Sequence, residues 1–335
     1  MSEAIPLVEV WRGEMVESRH RGHAVVADAG GEVVAAWGDP AVVVYPRSSC
    51  KMLQALPLVE SGAGEGLGAE RLALACASHI GAAMHVKRVA AWLDDLGLGD
   101  ADLRCGPQVP SDAAERSRLR AAREAPCQMH NNCSGKHAGF LTLGRHLRAG
   151  PEYVEIDHPV QRAARAAFEE MTGETSPAWG IDGCSAPNFA CSLAGLATAM
   201  ARMANPAGLA PARAAAAAAL VDAMRAHPLL VAGEGAACSE LMAAMDGRVA
   251  VKTGAEGVYA AILPGLGLGV ALKIEDGATR ASECAIAAIL ARLREIDPRA
   301  VAAARRLTPI IPTRRGLPVA RIAPAPGFWQ GGRPI

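Results

Sequence analysis

A serine and a lysine stand three positions apart in the segment Arg47-Ser48-Ser49-Cys50-Lys51, directly after a strand-like run of valines. If a helix begins here, the two side chains share one face, so the lysine amine can reach the serine hydroxyl. A serine hydroxyl is a weak nucleophile until a base removes its proton, and lysine can be that base when its pKa is lowered. The spacing therefore predicts a nucleophile pair, although it also fits an ordinary helix start.

Two further segments support this hypothesis. Lys252-Thr253-Gly254 follows the strand-like run 248–251, and a Ser-x-x-Lys followed far downstream by Lys-Thr-Gly is typical of enzymes that form an acyl-serine. Ser78, in Ala77-Ser78-His79, gains a catalytic meaning only if it meets Lys51 or Lys252 across the fold. The alternative for Lys252 is an exposed strand lysine.

Thiols, an amine and imidazoles are concentrated in the segment 130–137 and recur at Asp182-Gly183-Cys184. Cysteine and histidine are the ligands that Zn²⁺ prefers, and an amine can join them once it is neutral. The spacing differs from that of a zinc finger, and a buried cysteine can also be a small apolar core residue. Zinc ligation and core packing both remain open on spacing alone.

The composition limits the possible partners and the compartment. The chain has 335 residues, with 34 Lys and Arg against 34 Asp and Glu, so neither nucleic acid nor an anionic membrane surface is an expected partner. A hydrophobic fraction of 51% is ample for a core. Nine cysteines, an odd number, and a beginning without a leader pattern indicate mostly free thiols in a reducing cytoplasm.

Strand patterns occupy the two ends of the chain and helical patterns the middle. Two apolar runs flank Gly30-Gly31, and three more lie between residues 249 and 274. The tail from Leu317 to Ile322 is expected to return to the sheet. We therefore expect one interlocked unit over 1–335, with a sheet part at about 1–75 and 240–335 and a helical part at about 76–239. The helical patterns cover 111–123, 159–171, 193–203, 212–227 and 281–296.

Five segments together resemble the asparaginase II family, the rhizobial-type thermolabile L-asparaginases, which are unrelated to the bacterial enzymes with a threonine nucleophile. The segments keep the family's order and span nearly the whole chain, which makes the resemblance specific. They are Tyr45 to Lys51, Cys76 to His79, Asn132 to Gly139, Gly180 to Pro187 and Leu272 to Gly277.

The resemblance implies an α/β (α+β) fold like that of serine β-lactamases, penicillin-binding proteins and glutaminases, with an antiparallel sheet from both chain ends and a helical middle layer. It also implies a homodimer that hydrolyses L-asparagine to L-aspartate and ammonia. The implied roles are two Ser-Lys pairs (Ser48 with Lys51, Ser78 with Lys252), Zn²⁺ ligation (Cys133, Lys136, Cys184) and substrate orientation (Arg47, His137, Asp182). The zinc ion is expected to be structural or to position the substrate, not to be the hydrolytic centre.

The chain departs from the family pattern just after Ser78-His79. Family members often carry a small polar residue and then an acidic one here, whereas this chain has Ile80-Gly81-Ala82-Ala83. Loss of a carboxylate could weaken recognition of a substrate amine or change the preferred substrate. The alternatives are therefore a glutaminase or another acyl-serine amidohydrolase, or a non-catalytic amino-acid or zinc-binding protein of the same fold.

Overall fold

The structure of the protein is a computed structural model, and it describes residues 3–330. Its strands lie mainly near the two ends of the chain. The strands are β1 (Ile5–Arg12), β2 (Met15–Asp28), β3 (Val33–Trp37), β4 (Val43–Val44), β5 (Trp179–Ile181), β6 (Pro187–Phe189), β7 (Cys191–Ser192), β8 (Ala250–Thr253), β9 (Val258–Leu263), β10 (Leu268–Ile274), β11 (Ile310–Pro312) and β12 (Pro318–Pro324).

Helices fill most of the chain between β4 and β8 and follow β10. Within residues 3–330, none is both long and apolar enough to cross a membrane. The helices are α1 (Lys51–Glu60), α2 (Ala69–Ala75), α3 (Ala83–Asp95), α4 (Ala113–Ala122), α5 (Ser134–His146), α6 (Pro159–Thr172), α7 (Leu193–Ala204), α8 (Pro211–Ala226), α9 (Pro228–Val231), α10 (Ala237–Ala244), α11 (Thr279–Arg292), α12 (Val301–Leu307) and α13 (Pro326–Gln330).

The chain divides into two compact units. The first contains the residues up to Ser49, Cys191–Asn205 and the residues from Glu240 onward. Its core is an antiparallel sheet in the order β11-β12-β1-β2-β10-β9-β8, with β3 also paired to β2. Successive residues of the central strands point to opposite faces of the sheet, and residues on both faces are buried. Both faces therefore need cover, and α7 and α11 pack against these strands.

One glycine lets α7 lie close to the sheet. A Cβ atom at Gly269 in β10 would overlap the backbone of Ala197 and Ala201 in α7. Only a residue without a side chain fits at such a close approach of helix to strand. Gly269 is the second residue of β10.

The second unit, Cys50–Ala190 with Pro206–Ser239, is helical and is built around α1. Every residue of α1 from Lys51 to Leu58 is buried, and α2, α5, α6 and α8 pack against this helix. A helix that is apolar all round belongs in the interior of a helical layer, where each large apolar side chain contributes about 1.5–3 kcal/mol on burial. Lys51, the first residue of α1, is thereby carried into a buried position.

The structure confirms the predicted fold class, an antiparallel sheet from both chain ends with a helical middle. The hairpin around Gly30-Gly31, the strands between 249 and 274, the strand near 317–322 and the five predicted helices are all present within a few residues. The contact-based division differs from the predicted one at two places: residues 50–75 group with the helices, and residues 191–205 with the sheet. The expectation of one interlocked catalytic unit stays a prediction.

Candidate active site

Lys51 and Ser78 meet inside the helical unit. The Nζ atom of Lys51 donates a hydrogen bond to Oγ of Ser78 at 2.9 Å and another to the carbonyl oxygen of Ala77. The lysine is 1% exposed. Ser78 follows the end of α2 and is held in place by a hydrogen bond from its N–H to the carbonyl of Val231. A buried amine in contact with a hydroxyl is the arrangement that general-base activation of a serine requires.

Ser48 lies in the sheet unit, in a 3-10 turn from Arg47 to Cys50. The turn is tightly built: the N–H and Oγ of Ser49 both donate to the carbonyl of Pro46. A Cβ atom at Gly254 would lie 2.6 Å from that same carbonyl oxygen. The Lys-Thr-Gly segment predicted from the sequence therefore packs directly against the turn that carries Ser48.

Lys252 is also buried in the sheet unit. It is 1% exposed in β8, and its Nζ atom donates to the carbonyl oxygen of Thr253 at 2.8 Å. The pairings of Ser48 with Lys51 and of Ser78 with Lys252 stay predictions, since each would join residues of different units. The structure shows the Lys51–Ser78 contact, which the sequence had raised as one of two possible partners for Ser78.

The thiols predicted as metal ligands converge on one amine in the helical unit. The Nζ atom of Lys136 lies 3.1 Å from Sγ of Cys184. A hydrogen bond from Cys133 holds the pKa of Cys184 well below its usual range against the effect of burial, and Lys136 lowers it further. Burial opposes the charge on Lys136, but the two sulfurs outweigh it, so its pKa is raised. The site thus contains a buried thiolate and ammonium pair.

This donor set fits a soft metal ion by its chemistry. One sulfur is already a thiolate, a second thiol is beside it, and the amine contacts the thiolate. Within residues 3–330, no group of three or more His, Cys, Asp and Glu side chains has the geometry of a metal site. A metal at this position would therefore need Lys136 as its third protein ligand.

His137, the neighbour of Lys136, is oriented by a tyrosine that sequence analysis missed. The hydroxyl of Tyr153 accepts a hydrogen bond from the N–H of Arg104 at 2.7 Å and lies 2.9 Å from Nδ1 of His137. Burial lowers the pKa of His137, which favours the neutral ring. Since the tyrosine proton satisfies Nδ1, the ring proton belongs on Nε2, and a hydrogen bond between His137 and Cys184 helps to lower the pKa of that thiol.

Asp182 occupies the tight connection between β5 and β6. Its N–H donates to the carbonyl of Ala186, and Ser185 donates back to the Asp182 carbonyl, with Ser185 at a φ of 69°. This turn brings Asp182, half-buried, and Cys184, buried, to one end of the hairpin. The charge of Asp182 also contributes to raising the pKa of Lys136, so the predicted aspartate lies near the thiol and amine group.

Two stacked histidines follow Ser78, and the sequence gave no reason to pair them. The rings of His79 and His85 are 4.7 Å apart between centroids and nearly parallel. Nδ1 of His79 accepts from the N–H of Gly81, so its proton is on Nε2, 2.9 Å from Oγ of Ser134. Burial, His85 and Lys51 together place the pKa of His79 well below its usual value. His79 is therefore a neutral, structural imidazole that fixes the segment after Ser78.

Two other buried thiols stay protonated. None of the nine cysteines forms a disulfide bond, and all but Cys127 are buried. Burial raises the pKa of Cys105 and of Cys284 to about 12 in each case, which keeps both protonated and unreactive. The thiolate at Cys184 is thus a product of its local charge environment.

The chain has an α+β fold with buried lysine, serine and thiol groups. Sequence comparison identifies the family of proteins to which it belongs. The family model for L-asparaginase II matches residues 8–324, so the chain belongs to this family. No characterised protein matches the sequence significantly.

Solved structures show distant similarity. Mglu in its native form has a TM-score of 0.48 and 15% identity, with 82% of this chain and 65% of that chain covered. A β-lactamase (Mb2281c) from Mycobacterium bovis has a TM-score of 0.43 and 15% identity, with 81% of this chain and 94% of that chain covered. This chain therefore spans slightly less than two thirds of the length of native Mglu.

Proposed function

We propose that this protein hydrolyses L-asparagine to L-aspartate and ammonia through a serine acyl-enzyme. The observation that carries the proposal is the hydrogen bond between buried Lys51 and Ser78, in a chain of the L-asparaginase II family. A lysine confined beside a hydroxyl can exchange a proton with it without reorganisation of solvent.

Ser48 is the proposed nucleophile and Lys51 its base, as the Ser-x-x-Lys spacing favours. Oγ of Ser48 bonds to the side-chain carboxamide carbon while its proton passes to the Lys51 amine. Lys51 returns that proton through Ser78 to the leaving nitrogen, the C–N bond breaks, and ammonia departs. Water then attacks the ester, loses a proton to the same relay, and releases aspartate with the Ser48 hydroxyl restored.

Charged side chains would recognise the two charges of the substrate. Asp182 is proposed to pair with the α-amino group, and Arg47 or Lys252 with the α-carboxylate. A zwitterion that leaves water needs partners for both charges, and the family resemblance assigns Arg47 and Asp182 to orientation. His137 is proposed to help orient the substrate.

Zn²⁺ is proposed to be held by Cys133, Lys136 and Cys184. When bound, it would supply a positive charge that positions substrate or fixes the local structure, because two thiolates neutralise it and reduce its Lewis acidity. Elemental analysis of protein purified without added metal should find about one zinc per chain. Zinc at trace level only, after purification without chelators, would overturn this assignment.

The reaction is tested by ammonia release from L-asparagine. We expect activity in the wild type, no measurable activity in Ser48→Ala, and full activity in the control Ser117→Ala, whose exposed hydroxyl bonds only within α4. Full activity in Ser48→Ala would remove Ser48 from the nucleophile role. Parallel rates on L-glutamine and a chromogenic cephalosporin decide the substrate, and a higher rate on either would replace asparagine.

The cytoplasmic location and the homodimer are part of the same proposal. Light scattering during gel filtration should give twice the chain mass of 34.6 kDa. A mass equal to one chain at micromolar concentration would refute the dimer. Fractionation of the source cells would test the compartment, with the protein expected beside cytosolic markers.

A further inference from the structure

A cavity of about 510 Å³ is lined only by residues of the sheet unit. Its wall is formed by β2, β10, the loop between β8 and β9, and the segment that leads to the Ser48 turn. The segment contributes an apolar side, Val42 to Val44, and the remaining lining groups are polar. These are His23, Tyr45, Arg47, Glu256, Lys273 and Glu275.

The charges that line this cavity balance. Arg47 and Lys273 are cationic, Glu256 and Glu275 are anionic, and burial lowers the pKa of His23 so that its ring is neutral. A free anion would be repelled by the two carboxylates, and a free cation by the two basic groups. A molecule with one charge of each sign can satisfy both pairs, which is the complementarity expected for a zwitterion.

The polar groups are held in defined orientations. Nδ1 of His23 accepts a hydrogen bond from the N–H of Asp39 at 2.8 Å, which leaves its Nε2 proton directed toward Glu275, 4.0 Å away. Nζ of Lys273 donates to the carbonyl of Glu256. The cavity therefore has a fixed imidazole and a fixed ammonium before any ligand enters.

Backbone strain is concentrated at the same place. Arg47 has a φ of 53° and Glu256 a φ of 57°, left-handed values that cost energy for residues other than glycine. Both residues line the cavity. Strained backbone that the surrounding structure maintains is found preferentially at ligand sites.

We propose that this cavity binds a free α-amino acid, whose carboxylate is held by Lys273 and whose ammonium is held by Glu256 and Glu275. The site goes beyond the proposed reaction, because it assigns a binding function to residues that no catalytic step uses. Glu256 is in the loop whose Gly254 packs against the turn of Ser48, so an occupant would order that turn.

The test is equilibrium dialysis with radiolabelled L-aspartate. The variant Lys273→Met/Glu256→Gln keeps the net charge and removes one partner of each sign. The control Asp297→Asn/Arg299→Met removes an exposed ion pair elsewhere in the sheet unit. We expect the first variant to bind one fewer aspartate per chain than the wild type, or to bind it at least tenfold more weakly, and the control to match the wild type.

The difference between variant and wild type is informative whether or not the proposed asparaginase site also binds aspartate, since that site contributes equally to both proteins. Unchanged binding in a variant that melts like the wild type would overturn the proposal. Succinate, which lacks the ammonium group, should not displace aspartate from the cavity. Equal displacement by succinate would show a simple anion site and would also overturn it.

Discussion

Lys51 and Ser78 form a hydrogen bond of 2.9 Å between Nζ and Oγ, although 27 positions separate them in sequence. The contact exists because α1 is buried on all sides and begins with the lysine, while the backbone after α2 is fixed by its hydrogen bond to Val231. The amine has little freedom to move elsewhere. Its replacement therefore tests function with little disturbance of the fold.

Lys51→Met should lose activity and still fold. Methionine matches the apolar stem of lysine and removes the amine, so general-base catalysis worth about 10²–10⁴-fold is lost. The carbonyl of Ala77 loses its donor, so the free energy of unfolding should fall by about 1–3 kcal/mol. Rates of ammonia release and thermal unfolding measure both effects. Activity within threefold of the wild type would argue against a catalytic Lys51.

The Lys136 and Cys184 pair should behave as one unit in stability. Removal of one charge leaves the other buried without its partner, at a cost of about 3–5 kcal/mol, whereas loss of both costs less than the sum. The measurement is urea unfolding of Lys136→Met, Cys184→Ala and the double variant, all in a metal chelator. If the costs of the two single replacements simply add in the double variant, the thiolate and ammonium pair is absent.

Tyr153→Phe should change the tautomer of His137. The phenol proton satisfies Nδ1, so its loss allows the ring proton to move to that atom, and the N–H of Arg104 loses its acceptor. Loss of a buried hydrogen-bonding group costs about 1–3 kcal/mol. Nitrogen-15 spectra of labelled histidine in both proteins report the tautomer. Identical His137 shifts in wild type and variant would contradict the orienting role.

Gly269→Ala tests the packing of α7 on β10. A methyl group there meets the backbone of Ala197 and Ala201, and forced overpacking costs about 1–3 kcal/mol or more. Gly265→Ala is the matched control, because nothing lies within 4 Å of the added atom. Chemical denaturation should show a loss at position 269 and none at 265. Equal stability of the two variants would contradict the described contact.

Acid should destabilise the protein through His79. The pKa of His79 in the folded protein lies well below the unfolded value of about 6.5. Just below pH 6.5, His79 is therefore protonated in the unfolded chain and neutral in the folded protein. The contribution of His79 to the free energy of unfolding is fully present above that pH. It falls as pH decreases, by up to about 1.4 kcal/mol per pH unit for one such group. His79→Gln keeps a donor and an acceptor but does not titrate. Its stability should depend less steeply on pH between 6.5 and 5, and an equal slope would exclude His79 as a source.

Local patterns made the fold predictable. Gly30-Gly31 between apolar runs predicted a hairpin, and the short strand-like runs near 249–274 predicted part of the sheet. Both predictions depend on interactions between residues that are close in sequence. The strand β1 lacks such a pattern, because Pro6 and charged residues interrupt it. It is a strand because it pairs with β2 and β12. Likewise, nothing local places α7 on the sheet.

The candidate site was predictable in its residues more than in its contacts. The Ser-x-x-Lys spacing identified Lys51, whereas the family resemblance, and not spacing, assigned Cys133 and Cys184. The orientation of His137 by Tyr153 and the stacking of His79 on His85 depend on side chains that meet only after the helices pack. Such contacts leave no periodic pattern in the sequence.

The central claim is that Ser48 becomes an aspartyl ester during turnover. Rapid acid quench after mixing with L-asparagine, followed by peptide mass spectrometry, measures it directly. We predict a mass gain of one aspartyl group on the peptide that contains Ser48, assigned by fragmentation to Ser48 and not Ser49, and absent from Ser48→Ala. An ester on Ser78, or full turnover by Ser48→Ala, would contradict the account.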